Sequence, residues 1–246
     1  MTSLLRGLAV LLIPAMALGA CGEVKNETAA STTTATTTTA KAKADPASDM
    51  ALARSAVLSA TDLPGYTGKA DTSSGSMPES AKKEFATCLG VSSTVLDDKA
   101  GEQKAESGDF DKGDSTVSGS VTIDPLASDI DDSWKVMSKQ GVEPCLQGLF
   151  KAAIAASAGT SGDVTIGDVT VDRFDVGVGT RSVGYSLKMV ATSQGTDVNL
   201  FMDLLFVARD RAGIELDGVN VGEPFDRVTE LGLVQKMYDR IGTKAA

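Results

Sequence analysis

Three cysteines, Cys21, Cys88 and Cys145, carry the richest side-chain chemistry in this 246-residue chain. A thiol can be acylated, oxidised or used as a nucleophile, and as a nucleophile it needs a neighbouring base or cation to form the thiolate. The commonest such base is missing, because the chain contains no histidine. The same absence removes serine–histidine–carboxylate triads and the usual zinc ligand sets. No Gly-x-Ser-x-Gly turn and no phosphate-cradling glycine loop occurs. Ser186 and Lys188 fall on one strand parity and read as solvated neighbours. The run Asp109-Phe110-Asp111-Lys112-Gly113-Asp114 has carboxylates enough for calcium but lacks the EF-hand spacing and its closing Glu, so it reads as a turn. Asp129, Asp131 and Asp132 fall in the early turns of a helix, where the helix dipole favours negative charge. Metals, cofactors and catalysis are therefore not expected.

The elements around Cys21 decide what that thiol is for. Arg6 is followed by an apolar run over residues 7–18, too short to span a bilayer comfortably, and then by small residues at Gly19 and Ala20. Leu18-Gly19-Ala20-Cys21 resembles the bacterial lipobox. That resemblance implies a lipoprotein signal peptide over residues 1–20, cleavage before Cys21 and a diacylglyceryl group on its sulfur. Two or more acyl chains hold a protein on a bilayer stably, where one does not. The implied location is the extracytoplasmic face of the cell membrane, with the membrane as partner through the lipid. Residues 21–47 collapse to Thr, Ala, Ser and Lys, a composition that cannot bury enough apolar surface to order itself and so reads as a flexible tether. Residues 48–246 remain for a single globular domain.

Composition narrows the partners. The formal charge is −10 with no basic block, and aromatic residues make up 4 %. Such a chain is a poor match for nucleic acid, which needs cationic surface and stacking platforms. With Cys21 consumed by lipid, Cys88 and Cys145 remain. They are either a disulfide or two buried free thiols, and an exported compartment favours the disulfide.

Periodicity places them. Ala81, Phe85, Cys88 and Leu89 share one face of a helix that begins near Ser76-Met77-Pro78-Glu79, with Ser76 as its cap, and stops at Gly90. A second helix follows Asp124-Pro125, read as its cap, with the stripe Leu126, Ile130, Trp134 and Met137. A third starts at Pro144 and carries Cys145 in its first turn. Between the first two, residues 104–110 and 115–124 read as a hairpin. From residue 164 the period changes to two. Val183, Tyr185, Leu187 and Met189 alternate with polar residues. Residues 198–209 are apolar on both parities, as in a central strand covered on both faces. Val228, Leu231, Val234, Tyr238 and Ile241 form the stripe of a closing helix. The expected fold is α+β, an antiparallel sheet of five or six strands packed against helices, with one disulfide. Met189, Phe201, Met202, Leu205 and Val207 are the candidate lining of a ligand pocket on the sheet. The competing reading is that a helix simply covers Phe201, Leu205 and Val207.

Asp62-Leu63-Pro64-Gly65-Tyr66, Cys88-Leu89-Gly90, the strand ending at Ile123, and Cys145-Leu146 together resemble the extracellular sensor domain of PknH-type kinases and related actinobacterial lipoproteins. That resemblance implies a sheet with a cleft, held by disulfides, that binds a ligand. The family typically carries two disulfides, whereas this chain has cysteines for one. Length, lipobox and a strand-rich C-terminal half are also similar to glycolipid-carrying lipoproteins of the same bacteria. The expected function is thus a membrane-anchored, non-catalytic binding or sensor-like module for a small molecule or lipid. The alternative is a lipid carrier with an apolar cavity between sheet and helices.

Overall fold

The computed structural model describes residues 45–69, 78–158, 164–193 and 196–242. Cys21, the expected leader and residues 21–44 of the expected tether lie outside them, as do Ser76 and the expected turn at Gln194-Gly195. The fold is α+β, and the described residues form five helices and one antiparallel sheet. In chain order the elements are α1 (Pro46–Ala56), β1 (Thr67–Lys69), α2 (Glu79–Leu89), a 3-10 turn (Ser93–Leu96), β2 (Gln103–Glu106), β3 (Asp109–Lys112), β4 (Ser115–Ile123), α3 (Ala127–Met137), α4 (Val142–Ala158), β5 (Val164–Phe174), β6 (Ser182–Ser193), β7 (Thr196–Arg209), β8 (Ala212–Val221) and α5 (Arg227–Ile241). The strands lie in the order β1-β3-β4-β8-β7-β6-β5, with β2 also paired to β4.

Eight strands exceed the five or six expected: the first arm of the hairpin is broken in two, and the short edge strand β1 pairs onto β3. At Ser107 the backbone N–H still donates to Gly119 O (2.9 Å), but the Ser107 hydroxyl, rather than its carbonyl, accepts from Gly119 N (3.0 Å). Gly108 then takes φ 71°, a left-handed conformation that suits glycine, and the chain restarts as β3. The parity break at Gly167-Asp168 is a bulge in β5, where the register to β6 shifts between Ile166 and Val169.

Strand β7 is apolar on both parities because helices pack on both faces of the sheet. Leu205 and Val207 join Val117, Val121, Ile214 and Leu216 beneath α1 and α5. Leu200, Met202 and Leu204 join Tyr185, Leu187 and Val219 beneath α2 and α4. The first layer is closed by the buried pair Asp49–Arg211, whose guanidinium donates to both carboxylate oxygens at 2.7 and 3.0 Å. The second is stapled by the disulfide between Cys88 on α2 and Cys145 on α4, Cα–Cα 5.7 Å.

Four helix starts differ from the sequence reading, and in the simplest case α4 begins at Val142 rather than at Pro144. Helix α1 begins at Pro46, inside the stretch read as tether, because Asp45 accepts from Ala47 N (3.2 Å) and proline is preset for a first turn. Helix α2 begins at Glu79 with Pro78 at the cap. Helix α3 takes Leu126, not Asp124, as its cap residue. Asp124 is withdrawn into the protein, its N–H bonded to Arg211 O and its carbonyl accepting from the Arg211 side chain (2.7 Å). The stripe of α5 is also rotated. Its buried residues are Glu230, Leu233, Val234, Met237 and Ile241, while Val228 is 80 % exposed.

Candidate functional site

A cleft of about 190 Å³ opens where β2, β4, β8 and β7 pass under α3 and the 3-10 turn. Its floor follows from strand alternation. Lys104, Ser120, Thr122 and Glu215 lie on the face opposite the buried Val121 and Ile214, and register places Glu106, Ser120, Glu215 and Phe206 side by side on β2, β4, β8 and β7. Its roof is apolar, with Ile130, Trp134 and Met137 of α3 beside Phe85, Val95 and Leu96.

The roof is pinned from several directions. The Tyr185 hydroxyl donates to Met137 O, and burial pushes its pKa to about 12. Arg173 Nη1 donates to Ser138 O at 3.0 Å, and Arg181 pairs with Asp131. Gly213 lets α3 sit low: a Cβ there would stand 2.9 Å from Ile130 Cδ1. The cleft thus exists because a small residue on β8 admits a helix that polar side chains hold in place.

Charge is concentrated on the floor and rim. Lys104 Nζ pairs with Glu106 Oε1 at 2.8 Å. Burial works against its charge, yet Glu215, Glu106 and Glu102 hold its pKa above the ordinary value. Glu215 is raised by burial, against the pull of Lys104. Its Oε1 is closed off from solvent and has no hydrogen-bond partner. Deeper along β8, Asp217 is raised well above the usual range, by burial and then by Glu215. At the rim, burial followed by repulsion from Glu102 and Asp129 pushes Asp124 up to about 7, and burial raises Glu102. Lys99 and Asp97 complete the rim, with Lys82 paired to Asp97 at 3.0 Å. Among the described residues no group of three or more His, Cys, Asp or Glu side chains is placed to hold a metal ion.

The residues singled out from sequence are not brought into one pocket. Met189 and Met202 lie in the core under α2 and α4. Leu205 and Val207 lie in the core under α1 and α5, so a helical layer covers that face, and Val207 alone borders the cleft. Phe201 is half-buried, with Lys188 Nζ 5.8 Å from its ring centre. The division follows from the pleat: Met202 and Phe201 are adjacent in β7, and adjacent residues point to opposite faces. Ser186 and Lys188 are also parted in role. Ser186 donates to Asp203 and accepts from Arg227 at 2.7 Å. The acidic run at residues 109–114 forms β3 and the turn that follows it, with Asp111 paired to Lys69 and accepting from Thr116 Oγ1.

Sequence reasoning missed Lys104, Glu215 and Trp134 as companions. Glu215 and Asp217 alternate with Ile214 and Leu216 as they would on a solvated face, and only the roof removes them from water. No protein-family model and no curated protein sequence matches the chain. Among the described residues no helix is long and apolar enough to cross a membrane.

Proposed function

We propose that this chain is a non-catalytic ligand-binding or sensor-like module, held at the extracytoplasmic face of the cell membrane by a lipid on Cys21. The observation that carries the binding role is the cleft itself, in which an apolar roof with Trp134 faces a floor bearing a carboxylate oxygen without a partner. Apolar walls with a few convergent polar groups are the usual makeup of a small-molecule site. The anchor rests on Leu18-Gly19-Ala20-Cys21 and the Thr-rich stretch after it, which as a coil would hold the domain on the order of 30 Å from the bilayer.

The carrier alternative needs room for an acyl tail. Both sheet–helix layers are filled by buried side chains, and the cleft's 190 Å³ is below the roughly 300 Å³ at which drug-sized sites begin, so the filled layers and the small cleft favour the binding module. Native mass spectrometry of protein extracted from its own host tests the two. A bound small molecule supports the module, a bound lipid supports the carrier, and a protein with no mass beyond its own lipid refutes both. Cys21→Ala is expected to release the protein from membranes; retention after a salt wash would refute the anchor.

A further inference from the structure

Resting on the reading of the cleft as a binding site, we infer that its ligand is a small organic cation, a protonated amine on a compact apolar body. The amine would sit on Glu215, and the body would lie between Phe206 and Trp134.

The polar balance of the cleft selects the class. Four carboxyl groups line it, from Asp97, Glu102, Asp124 and Glu215, against two lysines. Both lysines are already engaged: Lys104 Nζ is bonded to Glu106 at 2.8 Å, and Lys99 Nζ donates to Thr94 O at 3.2 Å. An anion therefore meets more carboxyl groups than amines, and each amine already makes a contact within the protein. Glu215 Oε1 is the reverse case, an acceptor removed from water with nothing donating to it. Such an atom is costly in the empty protein, and a ligand that brings a donor recovers the cost. A charged donor recovers more than a hydroxyl, because a hydrogen bond with an ionised donor or acceptor is roughly twice as strong as a neutral one. A bare divalent ion would need several convergent carboxylates, and among the described residues no such group occurs. The apolar half of the ligand follows from the roof. Phe206 neighbours Glu215 directly across β7 and β8, and Trp134 offers an indole whose face attracts cations.

Trp134 is the chain's single tryptophan, so fluorescence excited selectively at tryptophan, clear of the tyrosines, reads the cleft. Three probes of nearly one shape are titrated into the whole protein: phenethylammonium, 2-phenylethanol and 3-phenylpropanoate. Phenethylammonium is expected to change the emission saturably and to bind at least about tenfold more tightly than the alcohol, the worth of one charge-assisted contact. The propanoate is expected to bind least. Glu215→Gln is expected to abolish the preference for amine over alcohol. If the alcohol or the propanoate binds as tightly as the amine, the cation class is refuted and the binding cleft stands. If none of the three perturbs Trp134, the cleft reading falls with it. The comparison of probes on the unaltered protein decides the matter even if Glu215→Gln does not fold.

Discussion

Glu230 should make this protein lose stability as pH rises through neutrality. The residue sits on α5 with no solvent exposure, packed over Gly218, where an added Cβ would stand 2.6 Å from its Oε1. Burial, and then the Asp203 carboxylate on β7, push its pKa from 4.5 to about 9. Arg227 Nη1 approaches Glu230 Oε2 at 3.3 Å, but neither carboxyl oxygen makes a hydrogen bond. Moreover, the same guanidinium already serves Ser186 (2.7 Å) and Asp203 (3.2 Å) and stacks on Phe174 with its centre 3.4 Å from the ring centre. Desolvation therefore outweighs the ion pair, and the folded protein carries Glu230 as a neutral acid. Because the folded pKa lies above the unfolded one, the folded state retains a proton that the unfolded chain releases between pH 4.5 and about 9. Stability falls across that window by about 1.4 kcal/mol per pH unit from this one group, so roughly 3 kcal/mol disappears between pH 5 and pH 7.5. Glu230→Gln keeps the shape and the neutral form at every pH. Urea unfolding at half-unit steps from pH 5 to pH 8.5 is expected to show the variant matching the native protein at pH 5 and exceeding it by about 3 kcal/mol at pH 7.5. A variant that is less stable at pH 7.5, or that keeps the native slope, would show that Glu230 is ionised and held by Arg227.

Three further outcomes follow from separate contacts. Gly184→Ala would thrust a methyl into the Phe174 ring, which lies flat across that position, and is expected to cost about 1–3 kcal/mol and to release Arg227 from its stacking partner, read by urea unfolding and by the ring shifts of Phe174 in NMR spectra. Asp49→Ala leaves the buried Arg211 guanidinium without its bidentate partner and is expected to cost roughly 3–5 kcal/mol; a loss below about 1 kcal/mol would show that Asp124 O and solvent suffice. Replacing Cys88 and Cys145 together with serine opens a loop with sequence separation 57 and is expected to lower stability by about 4 kcal/mol, with no shift in the Trp134 emission maximum of the folded state.

The strands of the second half were legible because each carries its environment in its own alternation. Val183, Tyr185, Leu187 and Met189 show one buried face. The doubled apolar parity of residues 198–209 shows a strand covered on both sides. The disulfide was legible from cysteine count and compartment. Helix phase was less so. Periodicity selected Val228 and Tyr238 as core positions in α5, whereas the buried row runs through Glu230 and Met237. A carboxyl at a core position cannot be found by a pattern of apolar residues, because its burial depends on Gly218, which lies on the neighbouring strand directly beneath it in space.

The sequence by itself determined the α+β class, the faces of the long strands and the exclusion of histidine chemistry, since each is a property of local composition or of a period within one segment. Only the tertiary structure decided where a ligand could sit. Met189, Phe201, Met202, Leu205 and Val207 are neighbours on adjacent strands, but the pleat sends Met189 and Met202 to one core and Leu205 and Val207 to the other, and leaves Phe201 half-buried. Lys104, Trp134 and Glu215, from three distant segments, meet at one cleft. Which apolar face becomes core, and which carboxylate loses its water, depends on the helix that comes to rest above it, and no single segment encodes that helix's position.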